Sequence, residues 1–163
     1  MNIKEMMAHY QKTGLSRDLA AARVYQDIGV HKHFDIKQEE YCFDVCMDEI
    51  GASLLKNTVE QSFCEKLRSL LIFGSNSSRY KDIYDMYYLR TAADKEVLRH
   101  TIDILIFADP GMREHSMADI LRRMKSTFNN KLYLNRAASS RQRWIDKDIH
   151  SITEAIMRYL QEL

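Results

Sequence analysis

Two stretches decide the fold: Cys64-Glu65-Lys66-Leu67-Arg68-Ser69-Leu70-Leu71 and, after a glycine-serine turn, Arg79-Tyr80-Lys81-Asp82-Ile83-Tyr84-Asp85-Met86-Tyr87-Tyr88-Leu89. On a helical wheel the first stretch belongs to an apolar stripe formed by Val59, Phe63, Leu67 and Leu70. Lys66 lies at the margin of that stripe. The second stretch is apolar on nearly every side, yet it carries Asp82 in line with Met86 and Leu89. The pattern predicts two helices that each place a charged residue beside a buried surface.

These two charges are expected to meet. Burying either one alone would cost several kcal/mol, so each needs a partner of opposite sign. Two helices folded back across the turn from Gly74 to Ser78 would bring Lys66 and Asp82 together. A structural ion pair and a functional site both explain such an arrangement, and the spacing alone leaves both open.

The same residues carry a resemblance to a known family. The pattern E-K-L-x-x-L-L followed by S-x-R-x-K-D-x-Y-D-x-Y-x-L resembles the second half of the nucleotidyltransferase AbiEii/AbiGii toxin family, which belongs to abortive phage infection (phage resistance) and toxin-antitoxin systems. The resemblance implies that Lys66 binds nucleotide phosphates and that Asp82 orients it or assists the hydroxyl being modified. It thereby makes Lys66 and Asp82 the catalytic candidates. Arg79 and Ser75, in the polar turn before the second helix, join Lys66 as phosphate-binding candidates, because free amides at a helix start favour an anion.

The chain has no copy of the family's earlier nucleotidyltransferase signature. That signature is a Gly-Gly or Gly-Ser turn followed by an Asp-x-Asp pair, which on a strand shares one divalent metal. Residues 1 to 60 hold aspartates without that spacing, namely Asp18, Asp27, Asp35, Asp44 and Asp48. Asp82 and Asp85 after Phe73-Gly74-Ser75 imitate the motif, but on a strand residues three apart face opposite ways. We therefore expect no metal and no cofactor here, although the family uses magnesium and a nucleoside triphosphate.

The resemblance also indicates where the missing part belongs. Residues 15 to 27 resemble the opening helix of full-length members, and residues 29 to 36 resemble a segment that follows the metal-binding strands. The join near Ile28 would then mark an internal deletion, by gene decay or in a short paralogue. This predicts a truncated family member that is inactive as a transferase. The alternatives are a regulator or decoy that binds a cognate antitoxin or a full-length homologue, and an unrelated helical protein in which Lys66 and Asp82 simply pair.

Composition predicts one domain that folds in the cytoplasm. The chain has 163 residues, of which 45% are hydrophobic and 29% charged, enough to bury a core. Lysine and arginine total 24 against 23 acidic residues, so no overall field attracts nucleic acid. The cysteines Cys42, Cys46 and Cys64 are odd in number and lie on apolar segments, which is typical of reduced thiols. There is no signal peptide and no long apolar run, so no membrane partner is expected.

The fold class predicted is mainly α with a small β element, a helical bundle-like C-terminal part of a nucleotidyltransferase toxin. Few breakers and a repeated 3.6-residue period predict N-terminal helices within residues 1–28, a short β and loop region at 29–57, and a helical domain at 58–163. The expected helices are 2–12, 16–28, 58–72, 79–90, 94–107, 116–128 and 146–161. Ser16 and Thr58 are predicted N-caps, with Gln61 completing a capping box, and Asp109-Pro110-Gly111 is a stop.

Alternation from Tyr41 to Asp48 is the clearest strand pattern. One strand cannot satisfy its own edges, so it is expected to pair with residues 30–36 or with a second copy of the chain. The loss of the rest of a sheet would expose apolar surface. We therefore expect a homodimer in which a symmetry mate covers that surface.

Three further groups of residues have simpler explanations. His31, His33 and Asp35 could line one strand face for a metal, but without a further ligand at good spacing a solvated loop is the better explanation. The basic residues from Arg113 to Lys125 indicate a solvated helix face, or in an active toxin a contact for an RNA acceptor. The basic stretch 139–143, before Trp144, leaves the same two alternatives.

Overall fold

The computed structural model describes residues 57–163 in full, the backbone of two short strands before them, and Ala8 and Lys12, which are helical. The chain divides into two compact units, residues 1–37 and 38–163, and the second holds nearly everything described. The predicted helices 2–12 and 16–28, with the Ser16 cap, lie outside the described residues apart from Ala8 and Lys12. The junction near Ile28 and the group around His31 lie outside them as well, and the single-domain prediction stays a prediction.

The β element is an antiparallel pair. Strand β1, Glu39–Cys42, pairs with strand β2, Ser53–Lys56, with Glu39 opposite Lys56 and Cys42 opposite Ser53. The predicted partners, residues 30–36 or a second copy, are therefore wrong for this edge. Strand β2 was not predicted, because its apolar pair Leu54-Leu55 runs directly into the helical pattern that follows Thr58.

The regular structure within residues 57–163 is helical, and the mainly α class is confirmed. The helices are α1 Val59–Phe73, α2 Lys81–Leu89, α3 Lys95–Ile102, α4 Met117–Phe128, α5 Lys131–Ser139 and α6 Ile149–Gln161. A π-helical turn, Asp103–Phe107, extends α3 to the predicted stop at Asp109-Pro110-Gly111. Only α5 was not predicted, because its buried residues Tyr133, Leu134 and Ala137 span little more than one turn.

The start of α1 follows the predicted cap. Thr58 Oγ1 accepts a hydrogen bond from the backbone N–H of Gln61 at 3.1 Å, which confirms the N-cap. The return bond of a capping box is not made, because the buried Gln61 Oε1 has no hydrogen-bond partner among the described residues. The cap therefore satisfies one orphan amide of the first turn instead of two.

Helix α1 lies at the centre of the core and positions the site. Its apolar stripe of Phe63, Leu67 and Leu70 is fully buried, as the wheel predicted, and packs toward α2, α3 and α4. Each such side chain contributes roughly 1.5–3 kcal/mol by leaving water. Across the turn, Ile83 and Tyr84 of α2 are equally buried. The charged residues at the margins of these two stripes are therefore forced to the seam between α1 and α2. Among the described helices none is long and apolar enough to cross a bilayer.

The turn between α1 and α2 requires its glycine. Gly74 has φ +54° and ψ −137°, a backbone conformation that side chains with a Cβ rarely adopt. A Cβ there would lie 2.7 Å from Nη2 of Arg123. The Arg123 side chain occupies that place because its Nε donates to the carbonyl of Leu71 at 3.1 Å, at the open end of α1. The direction in which the chain enters α2 therefore depends on Gly74.

Candidate phosphate-binding site

Lys66 of α1 meets two carboxylates of α2. Its Nζ lies 2.9 Å from Oδ2 of Asp85 and 3.8 Å from Oδ1 of Asp82. The predicted juxtaposition of Lys66 and Asp82 is confirmed, but Asp85 is the nearer partner. Asp82 and Asp85 are three residues apart, a spacing that does not fit a metal-binding pair on a strand. On a helix, residues three apart share one face, so both carboxylates point toward Lys66.

Asp85 links the ammonium to an aromatic side chain. Its Oδ1 accepts a hydrogen bond from Nε1 of Trp144 at 2.9 Å, while its Oδ2 faces Lys66. Lys81, one turn earlier on α2, lies 3.8 Å from the same Oδ2 but is largely exposed. Asp85 itself is only 9% exposed, so these contacts compensate most of the hydration that its carboxylate has lost. Trp144 comes from the loop before α6, 59 positions away, and no local pattern predicts its approach.

Asp82 is the most deeply buried charge of the cluster, with 2% of its surface exposed. Nε of Arg79 lies 3.1 Å from its Oδ2, close enough for an ion pair. That oxygen nevertheless makes no directed hydrogen bond in the described structure. Asp82 therefore relies on two nearby cations for charge balance and keeps an acceptor position unused.

The cluster has an excess of positive charge. Lys66, Arg79 and Lys81 carry three cations against the two carboxylates of Asp82 and Asp85. A lysine ammonium has three N–H donors, and the short contact to Asp85 accounts for one of them. With 23% of its side chain exposed, Lys66 can present a remaining donor to an oxygen that arrives from solvent. The arrangement suits a phosphate, which gains from a fixed ammonium and a mobile guanidinium.

Buried tyrosines lie beside the cluster. The hydroxyl of Tyr84 donates to the carbonyl of Ala137 at 3.0 Å, and Tyr133 packs against Tyr80 at 5.7 Å between ring centroids. Burial raises the pKa of Tyr133 well above its ordinary value, and the neighbouring Tyr80 and Asp82 add to this. Burial likewise raises the pKa of Tyr84. Both phenols stay neutral at physiological pH and add no charge to the site.

The turn before α2 has fewer free backbone amides for an anion than its sequence indicated. The amide of Lys81 donates to Oε1 of Gln142 at 3.0 Å, and the amide of Arg79 donates to Oγ of Ser77 at 3.2 Å. The amide of Asp82 donates to the carbonyl of Arg79 at 3.1 Å. Ser75 lies half-buried in the 3₁₀ turn Gly74–Asn76, and none of the described hydrogen bonds or ion pairs joins it to Lys66. Phosphate binding by Ser75 stays a prediction, without the free amides it relied on.

The cluster does not suit magnesium. The carboxylates that a metal would need already face cations or the Trp144 indole, and within residues 57–163 no group of three acidic, histidine or cysteine side chains could hold a metal. The sequence does contain one Asp-x-Asp pair, Asp146 and Asp148, near its end. Asp146 pairs with Arg143 at 2.6 Å, and Asp148 caps α6 by accepting from the amide of Ser151 at 2.8 Å. Neither lies on a strand.

Other sequence-predicted residues have structural roles. Cys64 is a buried free thiol, and burial raises its pKa. In the basic segment of α4, Arg122 pairs with Asp119 at 3.1 Å, and Arg123 donates to α1. The inward-facing Ile120 and Met124 are buried as expected.

Fold and site together define a helical protein with a lysine held between two carboxylates at a helix seam. Comparison with known proteins assigns its family: the model described as "Nucleotidyl transferase AbiEii toxin, Type IV TA system" matches residues 9–157. The chain belongs to this family of toxin-antitoxin nucleotidyltransferases. The alternative of an unrelated helical protein is therefore wrong. Searches of the curated proteins and of the solved structures returned no match.

Proposed function

We propose that this chain binds the triphosphate of a nucleoside triphosphate at Lys66 and does not transfer the nucleotide by itself. The observation that carries the proposal is the ammonium of Lys66, fixed 2.9 Å from Asp85 and still partly exposed. In a family of nucleotidyltransferases, a cation held in this way is suited to the polyphosphate of the substrate.

Each residue has a role that follows from its contacts. Asp85 and Asp82 position the ammonium, which cannot swing away while two buried carboxylates face it. Arg79 is 65% exposed at its side chain, so it can turn from Asp82 toward a second phosphate oxygen. Lys66 supplies the fixed charge and Arg79 the adaptable one.

The proposed lack of transfer rests on the sequence. Residues 1 to 60 lack the Asp-x-Asp pair that the family resemblance calls for, and the Lys66 cluster cannot replace it because its carboxylates are already paired. We therefore propose that the chain is a truncated member of its family. The internal junction near Ile28 is part of this proposal.

A transfer assay tests inactivity. The pure protein is incubated with each labelled nucleoside triphosphate, magnesium and total RNA, and labelled RNA is separated on a gel. We expect no labelling by wild type. Robust labelling that disappears in Lys66→Ala would overturn the proposed inactivity and would make Lys66 part of a working transferase.

A second candidate function is a regulator or decoy that binds the product of a neighbouring gene, such as a cognate antitoxin or a full-length homologue. Ile72 and Phe73, at the end of α1, are 48% and 53% exposed, and Ile72 lines a cavity of about 270 Å³ with Met112 and Arg113. Paired exposed apolar side chains are typical of protein contacts.

Affinity capture from the native host tests this candidate. Wild type should recover the neighbouring-gene product, Phe73→Asp should lose it, and Val97→Asp, at a similarly exposed apolar residue, should keep it. Recovery of no such product by wild type would count against the candidate. The homodimer, the RNA acceptor and the cytoplasmic location stay predictions.

A further inference from the structure

Two large aromatic side chains lie exposed in contact with each other, and one of them, Trp144, donates to the carboxylate that faces Lys66. Tyr88 at the end of α2 is 60% exposed and Trp144 is 48% exposed. Their ring centroids are 5.5 Å apart, with an edge-to-face angle of 63°. Exposed rings of this size gain free energy when a flat apolar partner covers them, so the pair is a candidate binding surface.

The aromatic pair is connected to the phosphate-binding cluster through one carboxylate. Asp85 accepts from the Trp144 indole at 2.9 Å with one oxygen and faces Lys66 at 2.9 Å with the other. The indole N–H and the ammonium thus contact the two oxygens of one carboxylate, so they lie no farther apart than one carboxylate and its two contacts. In a nucleotide a single sugar separates the base from the phosphate, so one such ligand can reach both groups.

The indole is held in place before any ligand arrives. Its N–H is fixed by Asp85 and its ring by Tyr88, so little side-chain entropy remains to be lost on binding. The T-shaped contact leaves large parts of both rings open to solvent, as their exposure shows. A fixed, open aromatic surface accepts any nucleobase, because every base has a π face.

The nearby charges favour one nucleotide over a long strand. Arg143 pairs with Asp146 at 2.6 Å, and Arg90 and Lys147 lie over the Tyr87 ring at 3.8 and 5.4 Å from its centroid. These cations are already engaged, and the formal net charge is only +1, so the sequence gives no sign of a broad basic track for a phosphate backbone.

We propose that Tyr88 and Trp144 form a nucleobase subsite, on which the base of a nucleoside triphosphate stacks while its phosphates contact Lys66. This inference rests on the proposed function and adds the second contact of the same ligand. It predicts that the chain distinguishes a nucleoside triphosphate from a triphosphate without a base.

Tryptophan fluorescence tests the subsite directly, because Trp144 is the single tryptophan of the sequence. Wild type is titrated separately with ATP, GTP, CTP, UTP, inorganic tripolyphosphate and a short single-stranded RNA, at an excitation where bases absorb little. Binding of each ligand is measured in parallel by calorimetry. We expect nucleoside triphosphates to quench Trp144 emission and to bind about tenfold or more tightly than tripolyphosphate.

Substitutions separate the two contacts. Tyr88→Ala should weaken the binding of nucleoside triphosphates about tenfold and leave the binding of tripolyphosphate unchanged. Lys66→Met should weaken the binding of both kinds of ligand. Val97→Ala, which truncates an exposed apolar side chain on α3, should change neither. Circular dichroism of each variant shows that it is folded.

The possible failures are distinguishable. If both kinds of ligand bind equally tightly, depend on Lys66 and leave the emission unchanged, the subsite is overturned and the phosphate site stands. If neither binds, both proposals are overturned. If only the RNA quenches Trp144, the surface takes a polynucleotide, and the assignment to a mononucleotide is overturned.

Discussion

Replacement of Lys66 by methionine should destabilise the fold. Methionine keeps most of the apolar stem that lies along α1 but removes the ammonium. Asp85, 9% exposed, would lose a cation at 2.9 Å, and Asp82, 2% exposed, would lose one at 3.8 Å. Both would remain buried, which is the costly way to break an ion pair.

The magnitude follows from what the two acids keep. Breaking a buried ion pair typically costs 3–5 kcal/mol. Here the Lys66 side chain is 23% exposed, Asp82 retains Arg79 at 3.1 Å, and Asp85 retains the Trp144 hydrogen bond. We therefore expect Lys66→Met to lower the free energy of unfolding by about 2 kcal/mol.

Urea unfolding followed by circular dichroism measures this loss. Lys131→Met is the matched control, because Lys131 is exposed and forms no ion pair among the described residues; it should change stability by less than about 0.5 kcal/mol. In the double variant Lys66→Met/Asp85→Asn, the amide oxygen can still accept from Trp144 and no unpaired charge remains at that position. It should therefore be more stable than Lys66→Met alone by about 1 kcal/mol. If Lys66→Met matched the control, or if the Asp85 substitution made it still less stable, the reasoning would be refuted.

Three smaller predictions follow from the same structure. Gly74→Ala should lower the free energy of unfolding by about 2 kcal/mol, because a Cβ strains the backbone and displaces Arg123, and equal stability in urea would contradict the turn geometry. Thr58→Ala should cost about 1 kcal/mol through the lost cap of α1, while Thr58→Ser should keep most of it. The hydrogen bond from Ser151 lowers the pKa of Asp148, so its contribution is present above the unfolded pKa and is lost as the pH falls through the folded value. Unfolding midpoints measured below about pH 4 should therefore fall less steeply for Asp148→Asn than for wild type.

Much of the helical part could be predicted because its signals are local. The apolar stripe of α1 and its Thr58 cap follow from spacing alone, as does the encounter of Lys66 with Asp82 once burial is considered. Helix α5 was missed because its apolar period is too short to separate from loop sequence. Strand β2 was missed because two leucines before a helix resemble the helix itself.

The finer geometry of the site depends on contacts distant in sequence. Trp144 reaches Asp85 across 59 positions, and no local pattern encodes such an approach. The part played by Asp85 could have been predicted, because residues three apart on a helix share a face and Asp82 was already expected to meet Lys66. The two aspartates were compared only with a strand motif. The side chain of Gln142, which is also distant in sequence, accepts the hydrogen bond of the Lys81 amide, so this amide is not free to bind the predicted anion.

Binding of a nucleoside triphosphate at Lys66 is the central claim, and equilibrium dialysis of labelled nucleotides tests it most directly. Wild type, Lys66→Met and the double variant Lys66→Met/Asp85→Asn are each dialysed against every labelled nucleoside triphosphate, after urea unfolding has shown them folded. We predict that wild type retains nucleotide and that both variants bind about ten- to a hundredfold more weakly, the value of a charge-assisted hydrogen bond. No retention by wild type, or equal retention by all three proteins, would contradict the account.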